Sequence, residues 1–279
     1  MRLTPEALLQ YAIPDVNATI NPNAAALYAL SVGYGSDAVI PEELPYVALA
    51  ATPQKVAPTM ANTIAHPGHW LARAGAQWEG VVHAEQRLTV YHAIPLGAKL
   101  ISHTRVLSVT DRGASGLFVS FQSDISTTDG ALIATRIQTD ACRFDGGIGS
   151  AGMPPPTLTL PPDRPADAEL HVELPANAAL LYQLNGDDNA LHTIPAAAQR
   201  VGYDTPILHG LCTIGWVAHA IERHTQQELR GLEGRFTSTI HPGATARIQL
   251  WATPTAVAFR VYGPDTSRPV IDRGKVLLS

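Results

Sequence analysis

The sequence predicts an α+β protein of two similar halves, each with a buried helix and an antiparallel sheet. Alternating apolar and polar residues, rich in Val, Ile, Thr and Phe and interrupted by Gly and Asp, are typical of antiparallel strands. Continuous apolar stretches indicate helices that must be buried against those strands. Between the halves, residues 151–165 contain six prolines and therefore form neither a helix nor a central strand.

The two halves share one order of elements. Arg87-Leu-Thr is followed by a Pro/Gly turn and three alternating segments, and Arg235-Phe-Thr opens the same pattern in the second half. Because order and spacing both match, we predict an internal duplication, with repeats over residues 1–150 and 166–279 joined by an extended linker over 151–165. The predicted strands lie near 103–110, 116–126 and 131–143, and near 246–253, 256–262 and 269–278.

One buried helix is expected in each half. Residues 23–32 are almost entirely apolar and follow Asn21-Pro22, a favourable pair for an N-cap and a first helical residue. Residues 211–224 are apolar nearly all round until Glu222, which predicts a helix with no solvent-facing side along most of its length.

Composition excludes several classes of function. The chain has 279 residues, of which 46% are hydrophobic and 15% charged, so it can form a sizeable core. No run of more than two Lys or Arg residues occurs, the net charge is -5, and nucleic acid is therefore not an expected partner. No apolar run approaches the ~20 residues of a membrane span, and no secretory signal or peroxisomal address is apparent. Cys142 and Cys212 are predicted to be buried free thiols, so we expect a cytoplasmic protein.

Residues 182–215 contain the groups best suited to chemistry. Asp187 and His192 lie five residues apart on a loop-like segment, and the pair His209-Gly210 opens the second apolar helix. An acid, a base and a helix N-terminus suit proton transfer beside a developing oxyanion. Alone, Gly-Asp-Asp-Asn is typical of a turn. Adjacent acids also bind divalent cations, but no further acid follows at a ligand-like spacing, so no metal is predicted.

These residues resemble the signature of (R)-specific enoyl-CoA hydratases, found in enoyl-CoA hydratase 2 and MaoC-like dehydratases. The family pattern is Gly-Asp-x-Asn-Pro-Leu-His followed by Pro-Ile-x-His-Gly. Residues 186–192 read Gly-Asp-Asp-Asn-Ala-Leu-His, and residues 206–210 read Pro-Ile-Leu-His-Gly. Ala190 replaces the family's proline and Ile194 replaces a frequent acidic residue, and neither change removes a functional group. Three further segments resemble weaker landmarks of the family's N-terminal repeat, namely residues 28–33, 83–86 and 146–149.

The resemblance implies a double hot-dog fold and a hydro-lyase of fatty-acid β-oxidation. The expected reaction is the reversible hydration of trans-2-enoyl-CoA to (3R)-3-hydroxyacyl-CoA, with no metal and no cofactor besides the coenzyme A of the substrate. Asp187 and His192 would activate the water, Asn189 would orient the loop or the water, and the Gly210 N–H would form the oxyanion hole. The residues expected to contact substrate are Gly186, Pro206, Leu208 and His209.

The first half lacks Asp-x-Asn-x-x-His and is expected to be non-catalytic, opening a channel for a bulky acyl chain. Residues 66–70 are either part of that channel or an ordinary surface loop. Three other functions stay open: an acyl-CoA thioesterase, a non-catalytic acyl-CoA-binding subunit, and a hydratase of short dicarboxylic acyl-CoA. The sequence leaves open the acyl chain, the physiological direction and the choice between monomer and homodimer.

Overall fold

Short helices and an extended antiparallel sheet make up the part of the chain that the computed structural model describes, residues 3–36, 40–265 and 267–279. The strands are β1 Val16–Thr19, β2 Val81–Val90, β3 Lys99–Asp111, β4 Leu117–Thr127, β5 Leu132–Cys142, β6 Ala151–Gly152, β7 Ala168–Glu173, β8 Leu229–Phe236, β9 Thr245–Thr253, β10 Ala256–Tyr262 and β11 Pro269–Leu278. The α-helices are α1 Pro5–Leu9, α2 Pro22–Ser31, α3 Leu44–Val47, α4 Trp70–Arg73, α5 Ala178–Tyr182, α6 Pro195–Arg200 and α7 Gly210–Thr225. Turns of 3₁₀ helix cover Pro58–Asn62, Trp78–Gly80, Gly113–Ser115, Gln183–Asn185 and Ala190–His192.

The order of strands repeats about the middle of the sheet. One half reads β1-β3-β4-β5-β2, and the other, from its outer edge inward, reads β7-β9-β10-β11-β8. The halves join where β2 pairs antiparallel with β8, which places Glu85 opposite Arg235 and Arg87 opposite Glu233. Each main strand therefore has a counterpart at the same place in the other half. The predicted α+β fold with two hot-dog repeats is confirmed.

The second half contains the long buried helix that the sequence predicts. α7 spans Gly210–Thr225, and Ile214, Val217 and Ile221 are at most 1% exposed. It ends at Gln226, whose φ of 57° is left-handed and stops the helix. Because α7 packs against β7, β8 and β11, its N-terminus is held at a fixed position beside the loop that precedes it.

The first half has its predicted helix, but at a different place in the order of elements. α2 begins after Asn21, whose side chain accepts a hydrogen bond from the Ala24 N–H at 2.8 Å, and Pro22 is its first residue. It follows β1 as α5 follows β7, so α2 is the counterpart of α5 and not of α7. Between α2 and β2 the described chain has only helical turns of five residues or fewer, because Pro58 and Pro67-Gly68 interrupt any longer helix.

The proline-rich stretch is extended, as expected, but it is attached to the sheet. Ala151–Gly152 forms β6 and pairs with β3, which shortens the irregular part. Leu158 is 2% exposed, and its carbonyl accepts a hydrogen bond from Arg273 at 2.8 Å. The Pro156 carbonyl accepts another from Arg87. The stretch is therefore attached to the molecule at several points and is not a free spacer.

The expectation about the cysteines is met. Cys142 and Cys212 are free and buried, and burial raises the pKa of Cys142 to about 12, so that thiol is unreactive. Within the described ranges, no helix is both long enough and apolar enough to cross a membrane.

Candidate active site

A cleft of about 650 Å³ lies between the two halves, and most of the predicted site residues border it. The second half contributes Gly186, Asp187, Asn189, His192, Leu208 and Gly210 to its wall, and the first half contributes Asn62, His66, His83, Gln138 and Asp140. Pro206 and His209, both expected to contact substrate, do not line the cleft, and His209 is buried behind its wall at 1% exposed. The structure thus separates the predicted residues into a layer that faces the cleft and a layer that supports it.

The loop that carries Asp187 is shaped by its neighbours. Gly186 has a left-handed φ of 102°, a conformation that glycine adopts without strain, and it turns the chain out of the 3₁₀ segment Gln183–Asn185. The Asp187 carboxylate accepts a hydrogen bond from the Asn189 N–H at 3.4 Å. The Asn189 side-chain oxygen accepts one from the Leu191 N–H at 3.1 Å and caps the turn Ala190–His192. Asn189 therefore orients the loop.

His192 has a defined tautomer. Its Nδ1 lies 2.9 Å from the carbonyl oxygen of Ile207, and a carbonyl can only accept, so Nδ1 carries the proton. The Nε2 atom of the neutral ring is then an unprotonated acceptor. Burial lowers the pKa of His192 below its ordinary value, while the Ile207 carbonyl and the charge of Asp187 partly oppose that shift. His192 is thus held in the form of a base.

His209 joins α7 to the Asp187 loop. It is the N-cap residue of α7, and its carbonyl accepts a hydrogen bond from the Thr213 hydroxyl at 3.0 Å. Its ring packs against the His192 ring with centroids 3.8 Å apart. Its Nε2 donates a hydrogen bond to the backbone carbonyl of Asp187 at 3.3 Å. Burial lowers the pKa of His209 to about 3, so the ring is neutral and does not repel a protonated His192.

Gly210 presents the N-terminus of α7 to the cleft. As the first residue of the helix, its N–H has no partner within the helix and lies at the positive end of the helix dipole. A Cβ atom at this position would lie 3.0 to 3.2 Å from the ring of Phe236. A side chain at this position would therefore press on Phe236 where α7 packs on β8.

Asp187, His192 and His209 are also the described residues that satisfy a distance criterion for a metal site. Their ligand atoms lie within 4.8 Å of one another. However, one nitrogen of each ring is already engaged, because His192 Nδ1 and His209 Nε2 donate to the backbone carbonyls of Ile207 and Asp187. This donor set fits a water molecule better than a metal, and the absence of a metal stays a prediction.

Two first-half residues of the wall, Gln138 and Asp140, were not identified from the sequence, and His83 was named only within the landmark at residues 83–86. His83 donates from Nε2 to the Glu85 carbonyl at 3.1 Å, and burial lowers its pKa to about 4. The hydrogen bond to the Glu85 carbonyl and the charge of Asp187 partly oppose this lowering of the His83 pKa. Gln138 and Asp140 alternate along β5, which in a sequence is typical of a solvent-facing side. That face of β5 is internal because the segment before β2 covers it. No local pattern in the sequence of β5 indicates that it is covered.

Two family models match the chain. The model described as "MaoC like domain" covers residues 158–264, and the one described as "MFE-2 hydratase 2 N-terminal domain" covers residues 19–143. Among curated proteins, the chain is 31% identical to "Enoyl-CoA hydratase ChsH3" of Mycobacterium tuberculosis over 95% of both chains. It is 27% identical to "Enoyl-CoA hydratase 2, peroxisomal" of Arabidopsis thaliana, over 95% of this chain and 93% of that protein.

Solved structures show the same fold. A MaoC-like dehydratase from Phytophthora capsici superposes with a TM-score of 0.85 at 22% identity, and the match covers 98% of each chain. The full-length peroxisomal multifunctional enzyme type 2 of Drosophila melanogaster matches with a TM-score of 0.81 at 27% identity, over 95% of this chain and 48% of the other. A Mycobacterium tuberculosis protein described as having a double hot-dog fold matches with a TM-score of 0.59 at 17% identity.

Proposed function

The chain belongs to the MaoC-like dehydratase family and is a hydro-lyase, and from that premise we propose that it reversibly hydrates trans-2-enoyl-CoA to (3R)-3-hydroxyacyl-CoA. This reaction is a hydration step of the kind used in fatty-acid β-oxidation. The observation that carries the proposal is the spacing of Asp187 and His192, whose polar atoms lie within 4.8 Å of each other at the wall of the cleft. One water molecule with two hydrogen bonds of ~2.8 Å spans that distance.

The proposed chemistry begins with the water held by this pair. The Asp187 carboxylate accepts one hydrogen bond from the water, and the unprotonated His192 Nε2 accepts the other. As the water oxygen bonds to C3 of the enoyl thioester, His192 takes the proton that leaves it. His192 then returns this proton to C2, so the net change is the addition of one water molecule across the double bond.

The negative charge that develops on the thioester oxygen needs a fixed donor. The Gly210 N–H fills this role in the proposal, because it is unpaired within α7 and lies at the cleft. A preorganised backbone donor of this kind typically contributes ~10²–10³ in rate. His209 does not contact the substrate in this scheme; it positions His192 by stacking and fixes the Asp187 loop.

Two arginines at the rim of the cleft suit the phosphates of coenzyme A. Arg143 and Arg200 are both exposed and both line the cleft. Neither forms an ion pair with another described residue, so their charges are available to an anionic ligand. Their placement supports an acyl-CoA substrate, with the pantetheine arm reaching inward to the Asp187–His192 pair.

The proposed function is tested with purified protein and crotonyl-CoA. Loss of the absorbance of the enoyl thioester, coupled to product oxidation by an (R)-specific but not an (S)-specific hydroxyacyl-CoA dehydrogenase, is the expected result. Release of free thiol without formation of a hydroxyacyl product would contradict the proposal and indicate a thioesterase.

A further inference from the structure

The first-half wall of the cleft is rich in buried polar side chains. It contains Asn62, His66, Gln138 and Asp140, which together are called the polar subsite below. Asn62, Gln138 and Asp140 are 1%, 8% and 6% exposed. A wall built only to bind a hydrocarbon chain has no use for these groups, because buried polar atoms without partners weaken binding. The subsite therefore favours a ligand with a polar group at this position over a plain hydrocarbon chain.

The subsite has a rigid support. Arg136, Gln138 and Asp140 lie on the same face of β5, and the segment that precedes β2 covers that face. Arg136, 1% exposed, donates from its guanidinium to four carbonyls of this segment. These acceptors are Ala61, Asn62, Ile64 and Ala65, at 2.7 to 3.2 Å. The positions of Asn62 and His66 relative to β5 are thus fixed before any ligand binds.

Part of the hydrogen-bonding capacity of the subsite is used internally. His66 accepts from the Gly68 N–H at Nδ1, so its Nε2 carries the proton and donates to the Gln138 side-chain oxygen at 3.2 Å. Gln138 in turn donates to one oxygen of Asp140 at 2.8 Å. The second oxygen of Asp140 bonds to no described residue and stays an open acceptor on the cleft wall. Burial raises the pKa of Asp140 to about 7.

The same wall also contains a hydrogen-bond donor that has no partner among the described residues. The Asn62 side-chain oxygen accepts a hydrogen bond from Gln86 at 2.8 Å, which fixes the orientation of the amide. Its Nδ2 is buried and has no partner among the described residues. Unpaired buried donors are uncommon in folded proteins, and one at a ligand cleft indicates a group that the ligand supplies.

The subsite is continuous with the reacting groups. His83 is the antiparallel partner of Asp140 on the neighbouring strand, ~4.8 Å away across the sheet. The His83 ring packs against the ring of Phe236, with centroids 4.9 Å apart, and Phe236 in turn lies against Gly210. An acyl chain that leaves the reaction centre toward the first half therefore passes the polar subsite. Trp70, Leu71, Trp78 and Val81 also line the cleft and offer apolar surface.

We propose that the polar subsite binds a hydroxyl group on the acyl chain, so that the preferred substrates are hydroxylated trans-2-enoyl-CoA thioesters. This inference rests on the proposed function. A hydroxyl both donates and accepts, and it can donate to Asp140 while it accepts from Asn62. An unsubstituted chain leaves both groups unpaired, and a terminal carboxylate has no proton to donate to Asp140.

The first test compares substrates with the wild-type protein. Crotonyl-CoA, trans-2-octenoyl-CoA and octenoyl analogues with one hydroxyl at successive carbons beyond the double bond are assayed for kcat/KM. For at least one hydroxyl position, we expect a preference of ~10-fold or more over the unsubstituted chain, because a site that pairs a hydroxyl rejects analogues that lack it. The matching keto analogue, which accepts but cannot donate to Asp140, is expected to fall between the two.

The second test uses a matched pair of variants on β5. Asp140→Leu removes the open acceptor, and we expect it to reduce the hydroxyl preference to about that of the unsubstituted chain. Thr139→Val is the control, since Thr139 points to the opposite face of the strand and bonds to Ser120 at 2.9 Å. It is expected to keep both the preference and the rate with crotonyl-CoA. The wild-type comparison decides the question even if Asp140→Leu does not fold.

The outcomes distinguish a failure of the inference about the polar subsite from a failure of the proposed function. If crotonyl-CoA is hydrated but no hydroxylated chain is preferred, the inference about the subsite is overturned and the proposed function stands. A keto analogue preferred over every hydroxyl analogue, or a hydroxyl preference that survives in Asp140→Leu, also overturns it. If the wild type hydrates no enoyl-CoA at all, the proposed function fails and the inference fails with it.

Discussion

The two histidines of the site show how position, rather than residue type, assigns a role. Both rings are neutral and packed together, but only His192 directs a free nitrogen at the cleft, while His209 is buried at the N-cap of α7. The sequence motif was sufficient to predict Asp187, His192 and Gly210 as neighbours. It was not sufficient to predict that His209 lies behind the wall or that Asp140 lies in it, because both placements depend on contacts between distant segments.

At the same scale, the pH dependence of turnover tests the state of His192. A general base must be unprotonated, so activity is lost as the pH falls through its pKa. Burial lowers that pKa below the ordinary value of ~6.5. We therefore expect kcat/KM for crotonyl-CoA to stay constant from about pH 8 to 6.5 and to fall only at lower pH. A fall in kcat/KM at acidic pH with its midpoint above ~6.5 would contradict the assignment of His192 as the general base.

Among the elements, α7 was the easiest to predict and the covering segment of the first half the hardest. A continuous apolar run after a His-Gly pair indicates a buried helix regardless of the rest of the fold. The segment between α3 and β2 has no such periodicity, and its course is set by the bonds that Arg136 makes to its carbonyls. Those bonds join residues about 70 positions apart (71 for Ala65 and 72 for Ile64), and no local pattern encodes them.

The junction of α7 with β8 leads to a prediction about Gly210. Gly210→Ala would place a methyl group 3.0 to 3.2 Å from the Phe236 ring and displace the N-terminus of the helix. We expect kcat for crotonyl-CoA to fall by ~10²-fold, the cost of losing an oriented oxyanion donor. The double variant Gly210→Ala/Phe236→Leu should recover part of this loss. Wild-type kcat in Gly210→Ala, or no recovery in the double variant, would show that this contact does not set the position of the N–H.

As a whole molecule, the two repeats behave as one unit because they share a sheet and a core. β2 pairs with β8 at the junction, and one cluster of buried residues includes side chains from both halves. Neither half can bury its inner strand edge alone. The cytoplasmic location and the choice between monomer and homodimer stay predictions, and some relatives are named as peroxisomal proteins.

This continuity predicts a single unfolding transition. Trp70 and Trp78 lie in the first half, and Trp216 and Trp251 lie in the second. Fluorescence of a Trp70→Phe/Trp78→Phe variant therefore reports the second half only, while circular dichroism reports the whole chain. We expect the two signals to change with the same midpoint on heating. Distinct midpoints would show that the repeats unfold independently.

The central claim is that Asp187 and His192 activate a water molecule, and one matched pair of variants tests it most directly. Asp187→Asn removes the carboxylate at the cleft, whereas Asp188→Asn changes the adjacent, exposed carboxylate, which does not line the cleft. With crotonyl-CoA, kcat should fall by ~10²–10⁴ in Asp187→Asn and stay near the wild-type value in Asp188→Asn, with both variants folded by circular dichroism. Retention of more than about a tenth of the wild-type kcat by Asp187→Asn would contradict the account.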